Sequence, residues 1–193
     1  MMWGLVHEIG RKIIHITILA VLAAYFIIQD KLGKQVALLS LVALLILFLV
    51  LEYFRIEIGW KMPFFAQFIR PKEHHRMYGV VYFLAATIIS LAVFNHKIAL
   101  AALLMTTFGD MVAALAGKKY GTTLIYRNKT WAGFLGELAT NLIVGFLILG
   151  NIYVILGMAF VATIVETLVD ELDDNLLIPI FSGFAGQIIL FSL

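Results

Sequence analysis

Long apolar runs, broken at intervals by short polar clusters, dominate the chain from end to end. A bilayer core about 30 Å thick needs about 20 apolar residues per helix and offers no partner to an unpaired backbone group, so each run predicts a membrane-spanning helix. Seven are expected, at roughly Ile13–Gln29, Val36–Phe54, Tyr78–Asn95, Ile98–Gly117, Trp131–Leu149, Tyr153–Val169 and Leu176–Leu193. The first has the length of a signal peptide, but no small-residue cleavage pattern follows Tyr25-Phe26, so a mature span is expected. The long second connection, Arg55–Met77, contains the stretch Ile56–Ile69, in which aromatics mix with scattered polar residues and a proline. An amphipathic segment lying at the interface is expected there. No repeat or soluble module is visible, and residues 1–193 read as a single membrane-embedded domain.

Composition narrows the class. The chain is 63% hydrophobic and 13% charged, against about 45–50% and about 25% in soluble domains. The expected fold class is therefore all-α, a polytopic helical bundle integral to the membrane. With no cysteine, disulfide staples, thiolate metal sites and a thiol nucleophile are excluded. A net charge of +2 is too small to suggest nucleic acid as a partner, so function must lie in how the few charges are placed.

That placement is uneven. Arg11, Lys12, Arg55, Lys61, Arg70, Lys72, Arg76, Lys118, Lys119, Arg127 and Lys129 fall on one side of the expected topology, and Lys31, Lys34 and Lys97 on the other. Lysine and arginine concentrate on the cytoplasmic side, which predicts a cytoplasmic N-terminus. Setting aside Arg11, Lys12, Lys118, Lys119 and Lys129, which are candidate site residues, leaves six against three, and the bias keeps its sign.

Ionisable residues inside spans are costly and mark function. Here they are His15, Glu52, Asp110, Glu137 and Glu166, with Asn141 as a neutral polar companion. At a rise of 1.5 Å per residue, Asp110 and Glu137 lie about 12 Å, and Glu166 and His15 about 6 Å, inside the cytoplasmic ends of their spans. A carrier would place polar groups near the midplane or along a whole path. A site open to the cytoplasm and to lipid fits this distribution better. Simpler structural roles exist for several of these residues: an ion pair between Glu52 and Arg55, a packed histidine at 15, and interhelical hydrogen bonds from Glu137 and Asn141, which share a helical face.

Four segments on the expected cytoplasmic side carry chemistry. Arg11 and His15 share a helical face at the membrane surface, suited to a phosphate or an anionic headgroup. In the run from Phe108 to Gly121, small residues at 109, 113 and 117 permit close helix approach, while Asp110 and the Lys118-Lys119 pair offer oxygen for Mg²⁺ and ammonium groups for phosphate. Lys129-Thr130 stands at a helix N-terminus, where free N–H groups favour a phosphate. The stretch from Glu166 to Pro179 holds five carboxylates within nine residues, and beside Asp110 it would complete a divalent-metal site. No Walker A motif is present: Val112 stands where its first glycine is needed, and Lys119 follows Gly117-Lys118 in place of Ser or Thr.

Taken together, Arg11-Lys12-x-x-His15, Gly109-Asp110-x-x-Ala113 closing with Gly117 and Gly121, Lys129-Thr130-x-x-Gly133, and the stretch from Glu166 to Asp174-Asn175-x-x-x-Pro179 resemble the polyprenol kinase family. That family includes dolichol kinase, phytol kinase and a CTP-dependent diacylglycerol kinase, and is related to phosphatidate cytidylyltransferase. The resemblance spans almost the whole chain in order. One position departs from it: the family's Lys-Thr-x-Glu-Gly motif has Glu where this chain has Ala132, so either Glu137 substitutes or the role is dispensable.

The resemblance implies transfer of the γ-phosphoryl group of CTP to a lipid alcohol such as a polyprenol or dolichol, assisted by Mg²⁺, at the cytoplasmic face. Asp110, Asp174 and Glu166 are then the expected metal ligands, and Arg11 and His15 border the reaction centre with Asp110 and Asp174. Lys118, Lys119, Lys129, Thr130, Asn175 and Lys12 are the expected nucleotide contacts. A cytidylyltransferase forming a CDP-lipid and a non-catalytic transporter are the competing readings.

Overall fold

The computed structural model describes residues 19–59, 77–169 and 172–193. Arg11, Lys12 and His15, most of the expected interfacial segment, and Asp170 and Glu171 lie outside the described residues. The described residues form seven helices and one short hairpin: α1 (residues 19–32), α2 (Lys34–Ile56), α3 (Gly79–Val93), α4 (His96–Tyr120), β1 (Leu124–Tyr126), β2 (Lys129–Thr130), α5 (Trp131–Ile148), α6 (Ile152–Leu168) and α7 (Asp174–Ser192). Each helix occupies one of the expected spans. The protein is all-α and polytopic, as its apolar runs predict. By length and composition α2, α4, α5 and α7 can each cross a bilayer, and α3 and α6 are apolar helices of 15 and 17 residues. Leu147 and Phe191 are 80% and 81% exposed, a placement that water penalises and lipid does not.

The chain divides into two compact units, Met1–Ala85 and Ala86–Leu193. In the first, Gly33 separates α1 from α2 at φ 90°, a conformation open to glycine without steric penalty. Its N–H donates to the Gln29 carbonyl and its carbonyl accepts from Ala37 N–H, so the turn leaves little backbone unpaired. Near the end of α2, Glu52 Oε2 accepts from Arg55 Nη2 at 2.5 Å and from Nε at 3.2 Å, and the guanidinium lies 4.1 Å from the Tyr78 ring centroid. The pair expected from the i,i+3 spacing is formed, and it is enclosed: the Arg55 and Glu52 side chains are only 8% and 4% exposed.

The second unit is built around α4. More than half of its apolar window, 56%, is buried, against 28% for α5 and α7. Alanines explain how: Ala99, Ala101 and Ala102 are fully buried, and their small side chains let neighbouring helices approach the α4 backbone. Helix starts are pinned by polar caps. Asn95 accepts from Lys97 N–H, Asn151 from Tyr153 N–H and Asp173 from Asn175 N–H. The chain therefore turns sharply between helices, and the C-terminal end of α4, the start of α5, the end of α6 and the start of α7 all fall at the same end of this unit.

Packing between α7 and the connection from α3 to α4 is tight at Gly183. A Cβ there would lie 2.2 Å from Phe94 Cε2, and Phe94 is itself held edge-on to Phe184 with ring centroids 5.1 Å apart. Gly183→Ala is expected to destabilise the protein by about 1–3 kcal/mol, the usual range for overpacking, read as a lowered midpoint of thermal unfolding in detergent.

Candidate functional site

The site begins where α4 ends. Gly121 has no room for a side chain: a Cβ would sit 2.2 Å from the Gly117 carbonyl oxygen and 2.7 Å from Thr130 Cγ2. The chain leaves α4 there, runs out along β1 and returns along β2, pairing Leu124 with Thr130 and Tyr126 with Lys129. Sequence alone suggested only a loop here. The paired segments are too short, three and two residues, to show a period-2 pattern. Thr130 then caps α5, its Oγ1 accepting from Gly133 N–H at 3.2 Å. Its hydroxyl oxygen is thus engaged as a cap. Close approach of α4 and α5 holds this arrangement, because a Cβ on Gly133 would lie 3.0 Å from the Ala113 carbonyl oxygen.

Lys129 reaches from β2 to Glu166 on α6, its Nζ donating to Oε1. The carboxylate is 6% and the ammonium 31% exposed, so the pair is screened only partly by solvent. Burial works against the Lys129 ammonium, but Glu166, followed by Asp174 and Asp110, outweighs it and holds the pKa above the ordinary lysine value. Lys129 is therefore a fixed positive charge at neutral pH.

Around that charge the fold gathers the carboxylates. One oxygen from each of Asp110 on α4, Glu166 on α6 and Asp174 at the start of α7 lies within 4.8 Å of the other two. Three hard oxygen donors at that separation suit a small divalent cation. Pro179 adds to the picture at backbone level. Lacking an N–H, it withholds the helical bond that the Asn175 carbonyl would otherwise receive, one residue from Asp174. Asn175 itself turns toward Asp173, donating from N–H and Nδ2 to Oδ1 at 3.0 and 2.8 Å.

A deeper polar layer backs the cluster. Glu137 and Asn141, both fully buried, stand one turn apart on α5, and Glu137 lies beside Glu166. Asn141 Nδ2 donates to Thr163 Oγ1 on α6 at 3.1 Å, the interhelical bond anticipated for this face. Neither Glu137 Oε2 nor Asn141 Oδ1 meets a hydrogen-bond donor among the described residues. The surplus of acceptors over donors beneath Asp110, Glu166 and Asp174 is what a cation-binding centre would be expected to show. Gly109 makes room for this layer: a Cβ there would approach Asn141 Oδ1 to 2.6 Å and Glu137 Cγ to 3.2 Å.

Of the residues anticipated from sequence, the structure thus brings together Asp110, Asp174, Glu166 and Lys129, with Thr130 and Asn175 alongside. Lys118 and Lys119 occupy the last turn of α4, where Lys119 Nζ lies 5.1 Å from the Tyr120 ring centroid. Arg11, Lys12 and His15 lie outside the described residues. Thr163 was not anticipated. A threonine in an apolar helix ordinarily bonds back to its own backbone, as Thr163 also does to the Ala159 carbonyl, and nothing local signals a second role.

These features define an integral membrane protein with a cluster of carboxylates and a fixed ammonium at one end of its helices. Comparison with known proteins finds relatives of this chain. The chain is 31% identical to CTP-dependent diacylglycerol kinase 1 of Saccharomyces cerevisiae over 71% of its own length and 49% of the relative's. It is 30% identical to the Eremothecium gossypii protein of the same name over 71% of its length and 44% of the relative's, and 24% identical to the Schizosaccharomyces pombe one over 94% and 93%. The chain spans about half the length of the first two relatives. No protein-family model and no solved structure matches it. Over most of its own length the chain is thus similar to proteins named as CTP-dependent diacylglycerol kinases.

Removing Lys129 alone leaves Glu166 enclosed and uncompensated. Lys129→Met is expected to cost about 2 kcal/mol, below the range for a fully buried pair because the ammonium is partly exposed. In the Lys129→Met/Glu166→Gln double variant about half of that loss should return, giving a coupling energy within the range of about 0.5–3 kcal/mol found for contacting residues. Unfolding of the four proteins of the cycle in detergent measures it.

Proposed function

We propose that the protein is a CTP-dependent lipid kinase that transfers the γ-phosphoryl group to the hydroxyl of a membrane lipid alcohol at the cytoplasmic face. The observation that carries the reading is the cluster of Asp110, Glu166 and Asp174 beside Lys129 at the ends of membrane helices. The kinase names of the relatives support the reaction class and the CTP donor. They also favour diacylglycerol as acceptor over the polyprenol or dolichol expected from sequence.

Phosphoryl transfer asks chiefly for positioning and for neutralisation of charge on the phosphates. The lipid hydroxyl oxygen forms the new bond to Pγ as the bridging Pγ–O bond breaks. CDP carries away the electron pair, and the hydroxyl proton passes to a carboxylate of the cluster. Lys118 and Lys119, on the last turn of α4, take the triphosphate, with Thr130 donating from its hydroxyl. Lys129 holds Glu166 in place and contributes positive charge to the centre. Asp110, Glu166 and Asp174 would hold Mg²⁺, whose chemistry when bound is to screen the phosphate oxygens. The acyl chains remain among lipid-exposed helices while the hydroxyl rises to the cluster, so the substrate need not leave the bilayer.

Purified protein in phosphatidylcholine vesicles, given γ-labelled CTP or ATP with diacylglycerol, dolichol or a polyprenol, tests the reading. Label should pass from CTP to diacylglycerol with CDP as co-product. No labelled lipid with any acceptor, or release of pyrophosphate in place of CDP, would overturn it. Asp110→Asn is expected to lower the rate on the order of 10²–10³-fold, with unfolding in detergent little changed. Chelation of divalent cations should abolish turnover, and added Mg²⁺ should restore it.

A further inference from the structure

Behind the carboxylate cluster, two fully buried side chains on α5 each present an oxygen that accepts nothing. Glu137 Oε2 and Asn141 Oδ1 meet no hydrogen-bond donor among the described residues. Buried polar atoms are nearly always paired, because a missing partner leaves the cost of desolvation uncompensated. Here two such atoms belong to residues one turn apart on the same helical face, so a single positive or proton-donating group between the helices could serve both.

The direction of the asparagine is set by its neighbour. Thr163 Oγ1 donates its one proton to the Ala159 carbonyl at 2.9 Å, so toward Asn141 it can only accept. The amide nitrogen therefore faces Thr163, at 3.1 Å, and the oxygen faces α4, where a Cβ on Gly109 would come within 2.6 Å of it. That Cβ would also come within 3.2 Å of Glu137 Cγ, so both side chains converge on the glycine that precedes Asp110. Asn141 Nδ2 lies 3.4 Å from Glu137 Oε1, a long bond that leaves Oε2 unserved. Among the described residues, the charged groups that act most on Glu137 are Glu166 and Asp110, both acidic. The Lys129 ammonium is taken up by Glu166 Oε1, and the triangle of Asp110, Glu166 and Asp174 is made without Glu137.

We propose that Glu137 and Asn141 Oδ1, with Glu166, form a second cation site behind the Asp110–Glu166–Asp174 cluster, and that it takes a monovalent alkali cation. Carboxylate and amide oxygens are hard ligands and select a hard cation. Full burial selects further, since an ion at this position gives up its water. Mg²⁺ dehydrates reluctantly, whereas Na⁺ or K⁺, with a single charge, loses less hydration energy. A single charge also matches the one carboxylate that Glu137 adds to the cluster. The site is argued from packing and unpaired acceptors and does not rest on the phosphoryl-transfer reading.

The test follows thermal unfolding of the full chain in detergent, with divalent ions chelated and no nucleotide, in NaCl, KCl or N-methyl-D-glucamine chloride at equal ionic strength. The organic cation is too large for the site and supplies the baseline. In Na⁺ or K⁺ the midpoint should rise by about 3–6 °C at an ion concentration tenfold above the dissociation constant, and the rise should saturate. Asp174→Asn, outside the site, should keep this difference between salts. Glu137→Gln, alike in shape but neutral, should lose it, and Asn141→Ala should raise the half-saturating concentration about tenfold. Equal midpoints in the three salts overturn the proposal, and a proton on Glu137 would then account for the unpaired oxygen. A rise that survives in Glu137→Gln overturns it too, as does one lost in Asp174→Asn, which would put the ion on the Asp110–Glu166–Asp174 triangle. Should Glu137→Gln not fold, an unchanged half-saturating concentration in Asn141→Ala is the overturning result. No arm needs catalysis, so failure of the kinase reading would leave every one of them intact.

Discussion

Carboxylates held together at the ends of membrane helices repel strongly, because little water is available to screen them. At an effective dielectric constant near 20, two unit charges 4 Å apart interact by about 4 kcal/mol, and here Asp110, Glu166 and Asp174 share such distances. The Lys129–Glu166 contact is the internal counterweight, and much of the surrounding structure can be understood as the means of delivering that ammonium. A lysine on α5 itself would lie further along that helix. Placing it on a two-residue strand just before the helix puts it at the height of the Glu166 carboxylate, and the Thr130 cap fixes where the helix begins. That in turn requires the chain to leave α4 abruptly at Gly121.

The same constraint explains the central helix. α4 must bring Asp110 to the cluster while remaining close to α5, α6 and α7, and large side chains on its inner surface would hold those helices apart. Its alanines and Gly109, Ala113 and Gly117 keep the separations short. Close approach also serves the polar layer behind the cluster. The Asn141–Thr163 bond ties α5 to α6 at the depth where Glu137 meets Glu166, so the carboxylate that receives Lys129 is braced from behind. Interhelical hydrogen bonds of this kind contribute only about 1 kcal/mol each. Their effect here is on placement more than on stability.

Most of the architecture was legible in the sequence because a bilayer imposes one rule on every span: continuous apolar residues and internally satisfied backbone. Asp110 and Glu166 stood out for the same reason, as isolated charges in runs where charge is expensive, and Asp174 was drawn in by its acidic neighbours. What escaped notice depends on contacts between distant positions. Lys129 looked like a phosphate ligand at a helix start, and nothing within several residues of it reveals a partner 37 positions away. The bonds that Asn175 makes to Asp173 are equally hidden, since they depend on the turn that starts α7. The hairpin was hidden because two paired residues leave no pattern, and its register follows from the Gly121 exit and the Thr130 cap acting together.

Gly109 and Asn141 cannot vary independently. The asparagine oxygen fills the place that any β-carbon at position 109 would need, and the asparagine is tied by its nitrogen to a different helix, so it cannot swing aside without breaking that link. In proteins that share this arrangement the two positions should therefore change as a pair: a larger residue at the first accompanied by a shorter one at the second, with the threonine opposite Asn141 released to vary only in those lineages.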